Sequence, residues 1–312
     1  MKILVIGAGA VGGYFGARLA HAGRDVTFLV RPHKAERLRR EGLRIVSPHG
    51  DFHLRPKLRV AGEIDSAFDI VLLSVKAYSL SGAIDDFAPA VGESTIIVPA
   101  LNGMRHMDLL ASRFGPKPIA GGVCLIISEV DDAGRIVQLT NIHSLIYGEP
   151  QGGISERMER LHSTLDGAGF TARLSENITP EMWQKWVQLS SLGALTCLMR
   201  GSIGDIEAAP GGKEIALAIF DECVAVATAC GYPPTAEFVA AKRADMTAVN
   251  SKLTASMYRD LKKGARVEAD QIVGDFIQRG RQAGVKTPLV DAAYVNLKIY
   301  ERAQADNQTA PS

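Results

Sequence analysis

The chain opens MKILVIGAGAVGGYFG, and this stretch constrains the fold more than any other. Lys2 to Ile6 form a short, mostly apolar run that stops at glycine. Gly7, Gly9 and Gly12 follow in the spacing G-x-G-x-x-G, and a helical apolar pattern continues through Leu19 and Ala20. Strand, glycine turn and helix in that order are the context in which such a spacing marks a dinucleotide site. The first glycine permits a tight turn, the second lets backbone approach a pyrophosphate, and the third lets helix and strand pack closely. The helix start offers free N–H groups and a positive dipole end to phosphates. Gly7, Ala8, Gly9, Ala10, Val11 and Gly12 are therefore cofactor-binding candidates.

The next apolar segment, Asp25 to Val30, reads as a second strand, and its end bears on cofactor choice. A site for NAD usually places a carboxylate there to hold the ribose 2′-hydroxyl. Here Val30 is followed by Arg31. A carboxylate repels a 2′-phosphate, whereas a guanidinium grips it with a bidentate fork, so Arg31 points to NADP(H). Lys34, Arg37, Arg39 and Arg40 reinforce the local positive field. Further strands are expected at 43–47, 52–60, 69–75 and 95–99, with an antiparallel extension over 119–127, 135–139 and 144–148. A near-continuous apolar run such as 69–75 fits a parallel strand covered on both faces. Open α/β sheets bind ligands at the carboxyl ends of their strands, which makes Lys76 and Asn102 candidates. The residue types alone leave each open to a plainer reading, a strand-end lysine in water and a turn-forming asparagine.

A helix at 154–168 and a strand at 170–174 close the first half, and 175–178 is the expected boundary. The domains are thus 1–177, an α/β nucleotide-binding domain, and 178–312, a helical one. Thr179-Pro180-Glu181 looks like a helix start with Thr179 as its cap. Helices are expected near 180–199, 213–230, 235–245, 250–263, 266–283 and 288–301, and the tail from Ala303 is expected to fray. A formal net charge of +1 gives no global pull toward nucleic acid or anionic membrane. No apolar run approaches the roughly 20 residues of a spanning helix. Cys124, Cys197, Cys223 and Cys230 lack metal-site spacing and read as free thiols of a cytoplasmic protein. Lys185, within MWQKW, and Glu268, within GARVEADQIVGDF, are the charged residues of the helical half that stand out, although by residue type alone each is equally a solvated helix residue.

Taken together, these residues resemble the ketopantoate reductase (2-dehydropantoate 2-reductase) family over nearly the whole chain. The opening glycines match, as do Arg31, Val75-Lys76-Ala77, Asn102-Gly103-Met104, Glu181-Met182-Trp183-Gln184-Lys185, Leu195-Thr196, Ser256-Met257, Asp260 and Glu268. The resemblance implies a Rossmann-type doubly wound domain followed by an all-helical domain of the 6-phosphogluconate dehydrogenase C-terminal type. It implies NADPH-dependent reduction of a 2-keto acid to a 2-hydroxy acid, 2-dehydropantoate to pantoate in pantothenate biosynthesis. Lys185 would stabilise the charge that builds on the keto oxygen and deliver a proton. Glu268 would position that lysine or hold the cofactor's ribose or amide. Asn102 would orient nicotinamide or substrate, Ser256 would hydrogen-bond the substrate, and Lys76 would lie near the cofactor. The partner is a small-molecule keto acid, with no nucleic acid, membrane or metal, and a homodimer is left open.

One stretch departs from the family pattern. Leu189, Gly193 and Ile203 stand where pantoate-forming members carry asparagines. A site that recognises a hydroxyl discriminates through such amides. Ser190, Ser191 or Arg200 are candidate substitutes. The alternatives are a reductase for a more apolar keto acid and a non-catalytic NADP(H)-binding regulatory protein.

Overall fold

The structure, a computed structural model, describes residues 1–309. The chain divides into two compact units, one of Met1–Leu101 with His106–Thr179, the other of Asn102–Arg105 with the chain from Pro180 onward.

The first unit is a Rossmann-like domain. Strands β1 (Lys2–Ile6), β2 (Asp25–Leu29), β5 (Lys57–Arg59), β6 (Ile70–Leu73) and β7 (Ile96–Pro99) form an all-parallel sheet in the order β5-β2-β1-β6-β7. The order reverses at β1, so the crevice between the carboxyl ends of β1 and β6 is the topological switch point. Alternate side chains of β1 serve two cores. Ile3 and Val5 join helix α1 (Ala10–His21), while Leu4 and Ile6 join α3 (Leu80–Phe87) and α4 (Arg105–Phe114). Burial on both faces explains the continuous apolar runs.

The expected antiparallel extension is a second, mixed sheet. The segments at 135–139 and 144–148 are one strand, β9 (Ile136–Gly148). It pairs antiparallel with β8 (Gly121–Val130) and parallel with both β3 (Leu43–Val46) and β10 (Thr171–Leu174). The expected strand at 52–60 is two. Residues 52–54 form β4, antiparallel to β3, and β5 joins the other sheet. Pro56 lies between them, where its missing N–H breaks a ladder. Helices α2 (Pro32–Glu41) and α5 (Glu156–Leu165) complete this unit.

The second unit is helical. Its helices are α6 (Ile178–Met199), α7 (Ile203–Glu207), α8 (Gly212–Ala229), α9 (Ala236–Met246), α10 (Ser256–Lys262), α11 (Asp275–Gln282) and α12 (Pro288–Thr309). Four expectations change. Helix α6 begins before Thr179, whose hydroxyl donates to the Pro150 carbonyl at 2.8 Å and does not cap. The helix expected at 250–263 shrinks to α10. The helix expected at 266–283 becomes a π-helical turn at Asp270–Gly274 that runs into α11. The tail does not fray at Ala303, since α12 runs to Thr309, and its last three residues lie outside the described residues.

Candidate active site

In the first unit, the glycine turn sits at the switch point. Gly7 has φ +90°, which favours glycine, and its N–H donates to the Leu29 carbonyl at 2.9 Å. A Cβ on Gly12 would lie 1.8 Å from Ser74 Oγ and 2.7 Å from the Gly7 carbonyl oxygen. The close approach of α1 to the β6 end therefore requires glycine there. Gly9 is the opposite case, exposed, with nothing within 4 Å of an added Cβ. It precedes α1, whose N-terminus has no side-chain cap and no acidic residue in its first turn. Open space over uncapped N–H groups is a cradle that fits a pyrophosphate. Arg31 follows β2 as the N-cap residue of α2 and is exposed, with its Nη2 donating to Ser79 Oγ at 3.1 Å. Lys76, also exposed, precedes the short 3₁₀ turn Ala77–Ser79 beyond the carboxyl end of β6. Glycine turn, Arg31 and Lys76 thus share the carboxyl edge of one sheet.

The second unit gathers the other candidates around α6. Trp183 and Trp186 bury almost completely, Trp183 stacked on Tyr232 and Trp186 edge-on to Phe276. Lys185 lies between them in sequence but is only half-buried, in a stripe with Glu181, Gln184, Gln188 and Leu189. Residues three or four apart share a helix face, so Lys185 and Leu189 look the same way. On the adjoining stripe, Trp186 Nε1 and Ser190 Oγ both donate to the Ile272 carbonyl, at 2.8 and 2.9 Å. The Ile272 N–H donates to the Glu268 carbonyl at 3.0 Å. The next residue back, Gln271, donates from Nε2 to the Asn102 carbonyl at 3.2 Å. Gly103, at φ +77°, packs so closely that an added Cβ would be 2.5 Å from the Gln271 carbonyl oxygen. The segment after Glu268 therefore anchors both the Asn102 loop and the Lys185 helix. Ser256, half-buried, opens α10 beside the far half of α6, where the Ala255 N–H donates to Thr196 Oγ1 at 3.4 Å.

The proposed stand-ins for the absent amides are committed elsewhere. Ser191 donates to the Val187 carbonyl within its own helix, and Ser190 is held by Ile272. Arg200 is exposed, adopts φ 59°, and donates to Asn296 Oδ1 at 3.1 Å. Leu189 is half-buried, Ile203 fully buried, and a Cβ on Gly193 would lie 2.9 Å from Met257 Cε. Sequence reasoning missed Ser79, Gln271 and Ile272. Only Gln271 left a signal, a polar residue ahead of the apolar pair Ile272-Val273.

Two family models match the chain. The model described as Ketopantoate reductase PanE/ApbA covers residues 3–152, and the one for its C terminal covers 177–301. The chain belongs to the ketopantoate reductase family. It is 34% identical to the uncharacterized oxidoreductase YkpB of Bacillus subtilis, over 96% of this chain and 99% of that one. It is 30% identical to a 2-dehydropantoate 2-reductase of Mesorhizobium japonicum, over 94% and 95% of the two chains. The solved 2-dehydropantoate 2-reductase of Geobacter metallireducens superposes with a TM-score of 0.86 at 28% identity, covering 96% of this chain and 99% of that one. Membership in the ketopantoate reductase family makes the chain an NADP-dependent oxidoreductase with a 2-keto acid reductase's chemistry. Among the described residues, no helix is long and apolar enough to cross a membrane, and no cluster of His, Cys, Asp or Glu has the makings of a metal site.

Proposed function

We propose that the protein reduces 2-dehydropantoate to pantoate with NADPH. The observation that carries this reading is the anchoring of the Lys185 helix, the Glu268 segment and the Asn102 loop to one stretch of backbone. When bound, the reduced nicotinamide supplies a hydride to the keto carbon. The Gly7–Gly12 turn holds the pyrophosphate, Arg31 grips the 2′-phosphate, and Lys76 adds positive potential near both. Negative charge grows on the keto oxygen as the hydride arrives. The Lys185 ammonium stabilises that charge and passes its proton to the oxygen, leaving a neutral alcohol and a neutral amine. Glu268 orients the lysine, Asn102 orients nicotinamide or substrate, and Ser256 hydrogen-bonds the substrate.

A second reading, a more apolar keto acid, is favoured by Leu189 on the Lys185 face and by Met257 in the space beside Gly193. An apolar wall distinguishes a hydroxyl from a methyl by only about 10²-fold, whereas amides built for the hydroxyl reach about 10⁴ or more. A panel of 2-keto acids followed by NADPH oxidation tests both readings. Preference for 2-dehydropantoate over 3,3-dimethyl-2-oxobutanoate by kcat/KM supports the pantoate assignment. The reverse order replaces it with the second reading, and inactivity across the panel removes the reductase reading.

A further inference from the structure

We propose that the π-helical turn Asp270–Gly274 is a positioning device for Lys185, acting through Trp186 and Ser190, an inference that rests on the reductase reading above. A π turn widens the helical ring and shifts its carbonyls off the usual i→i−4 ladder, which lets one of them take donors from outside. Here the Ile272 carbonyl does so twice. Both donors are buried, Trp186 at 1% and Ser190 at 0% exposure, and they lie one turn apart on α6. A single contact fixes a distance; two contacts from successive turns to one acceptor fix the rotation of the helix about its axis as well. Lys185 is next to the first of these donors and four residues before Leu189, which is next to the second.

The consequence for chemistry is geometric. A lysine ammonium extends to roughly 8 Å from its helix axis, so a rotation of roughly 10° moves it by roughly 1.4 Å. Misplacement of about 1 Å can cost a catalytic group on the order of 10² in rate. The same backbone segment carries Glu268 at its start, through the Ile272 N–H, and holds the Asn102 loop through Gln271. The turn therefore sets the registry of three candidate groups that come from three separate parts of the sequence. Neither Trp186 nor Ser190 is asked to touch substrate; each acts through the helix that bears Lys185.

Ser190→Ala and Trp186→Phe each remove one donor while keeping most of the packing, and Ser190→Thr keeps the hydroxyl. The expected result is a kcat for the preferred keto acid about 5- to 50-fold lower in each single variant and about 10²-fold lower in the double. KM and NADPH affinity stay within about twofold, and Ser190→Thr avoids most of the loss. Residue-resolved acetylation, read by mass spectrometry, reports on Lys185 independently of turnover. Its labelling rate relative to the other lysines is expected to change in both donor variants and to stay near wild type in Ser190→Thr. Variants that melt earlier yet keep both wild-type kcat and wild-type Lys185 labelling would overturn the proposal and leave these contacts a structural role. If the wild-type protein reduces no keto acid, the reductase reading fails; if Lys185→Ala keeps full activity, Lys185 has no part in the reaction; unchanged labelling in the donor variants decides separately against positioning.

Discussion

Gly12→Ala and Gly9→Ala are chemically the same change three residues apart, and the structure assigns them different consequences. At Gly12 the new methyl meets Ser74 Oγ at 1.8 Å and the Gly7 carbonyl oxygen at 2.7 Å. The serine hydroxyl can rotate away, but it then gives up its 3.0 Å bond to the Ile6 carbonyl, worth about 0.5–1.5 kcal/mol. The Gly7 carbonyl belongs to the turn itself and cannot rotate, so backbone must shift to an ordinary contact distance. Overpacking of this kind costs about 1–3 kcal/mol, for a total of about 1.5–4.5 kcal/mol without any cofactor present. At Gly9 there is no atom within 4 Å of the new methyl, and φ is −83°, which alanine adopts freely. Gly9→Ala should therefore leave apo stability within about 0.5 kcal/mol. Its penalty appears on cofactor binding, where a methyl stands between backbone and pyrophosphate. Chemical denaturation of the apo proteins and NADPH titration by fluorescence separate the two. Adding Ser74→Gly to Gly12→Ala should regain little, since it forgoes the same bond to the Ile6 carbonyl and leaves the clash with the Gly7 carbonyl oxygen. An unchanged apo stability for Gly12→Ala, or unchanged NADPH affinity for Gly9→Ala, would refute the assignment of close packing to one glycine and phosphate approach to the other.

Lys185→Ala should lower kcat by about 10²–10⁴, the scale of a positioned general acid, with NADPH affinity retained; steady-state kinetics check this. Arg31→Ala should weaken NADPH far more than NADH, since only the former offers a 2′-phosphate to the guanidinium; equal losses in paired titrations would remove Arg31 from that role. His143 makes stability pH-dependent. Burial first, then the charges of His49 and Arg18, lowers its pKa from 6.5 to about 4. The unfolded chain thus takes up the proton between about 6.5 and about 4 while the folded chain does not, so stability is full above 6.5 and falls as pH drops through that window. The whole displacement would amount to roughly 3 kcal/mol, and solvent access to the ring reduces this to about 1–2 kcal/mol. Denaturation midpoints measured across this range should fall less steeply in His143→Gln.

Much of this arrangement was legible because it depends on short-range pattern. The glycine spacing, the apolar runs of β1, β6 and β7, and Arg31 just past β2 each show their place in the fold within a few neighbouring residues. The helical half was legible as helical for the same reason. What escaped depends on partners distant in sequence. Nothing local distinguishes the helix expected at 266–283 from a π turn, and the donors that the turn's Ile272 carbonyl meets, Trp186 and Ser190, lie more than 80 residues earlier. Thr179 looked like a cap because Thr-Pro is a common helix start. Burial of Ile178 and the hydroxyl's bond to Pro150 draw the helix back past it. The split at Pro56 carried a local signal, yet which sheet each half joins is a matter of tertiary pairing. Around Lys185, the family resemblance pointed to the lysine and to the missing amides, while the commitment of Ser190, Ser191 and Arg200 to other partners needed coordinates.

The alternation along β1 has a consequence for how mutations combine. Leu4 and Val5 are joined by one peptide bond but contribute to cores on opposite faces of the sheet. Substitutions at these two neighbours should be nearly additive in stability, because they share no packing partner. Val5 and Phe28 belong to one core although they sit on different strands, and Leu4 and Ile84 belong to the other although Ile84 sits on α3. Double-mutant cycles on those pairs should return coupling energies of about 0.5 kcal/mol or more where the side chains touch. Epistasis in this domain therefore follows the faces of the sheet, with a period of two residues, and crosses freely between segments that the sequence keeps far apart.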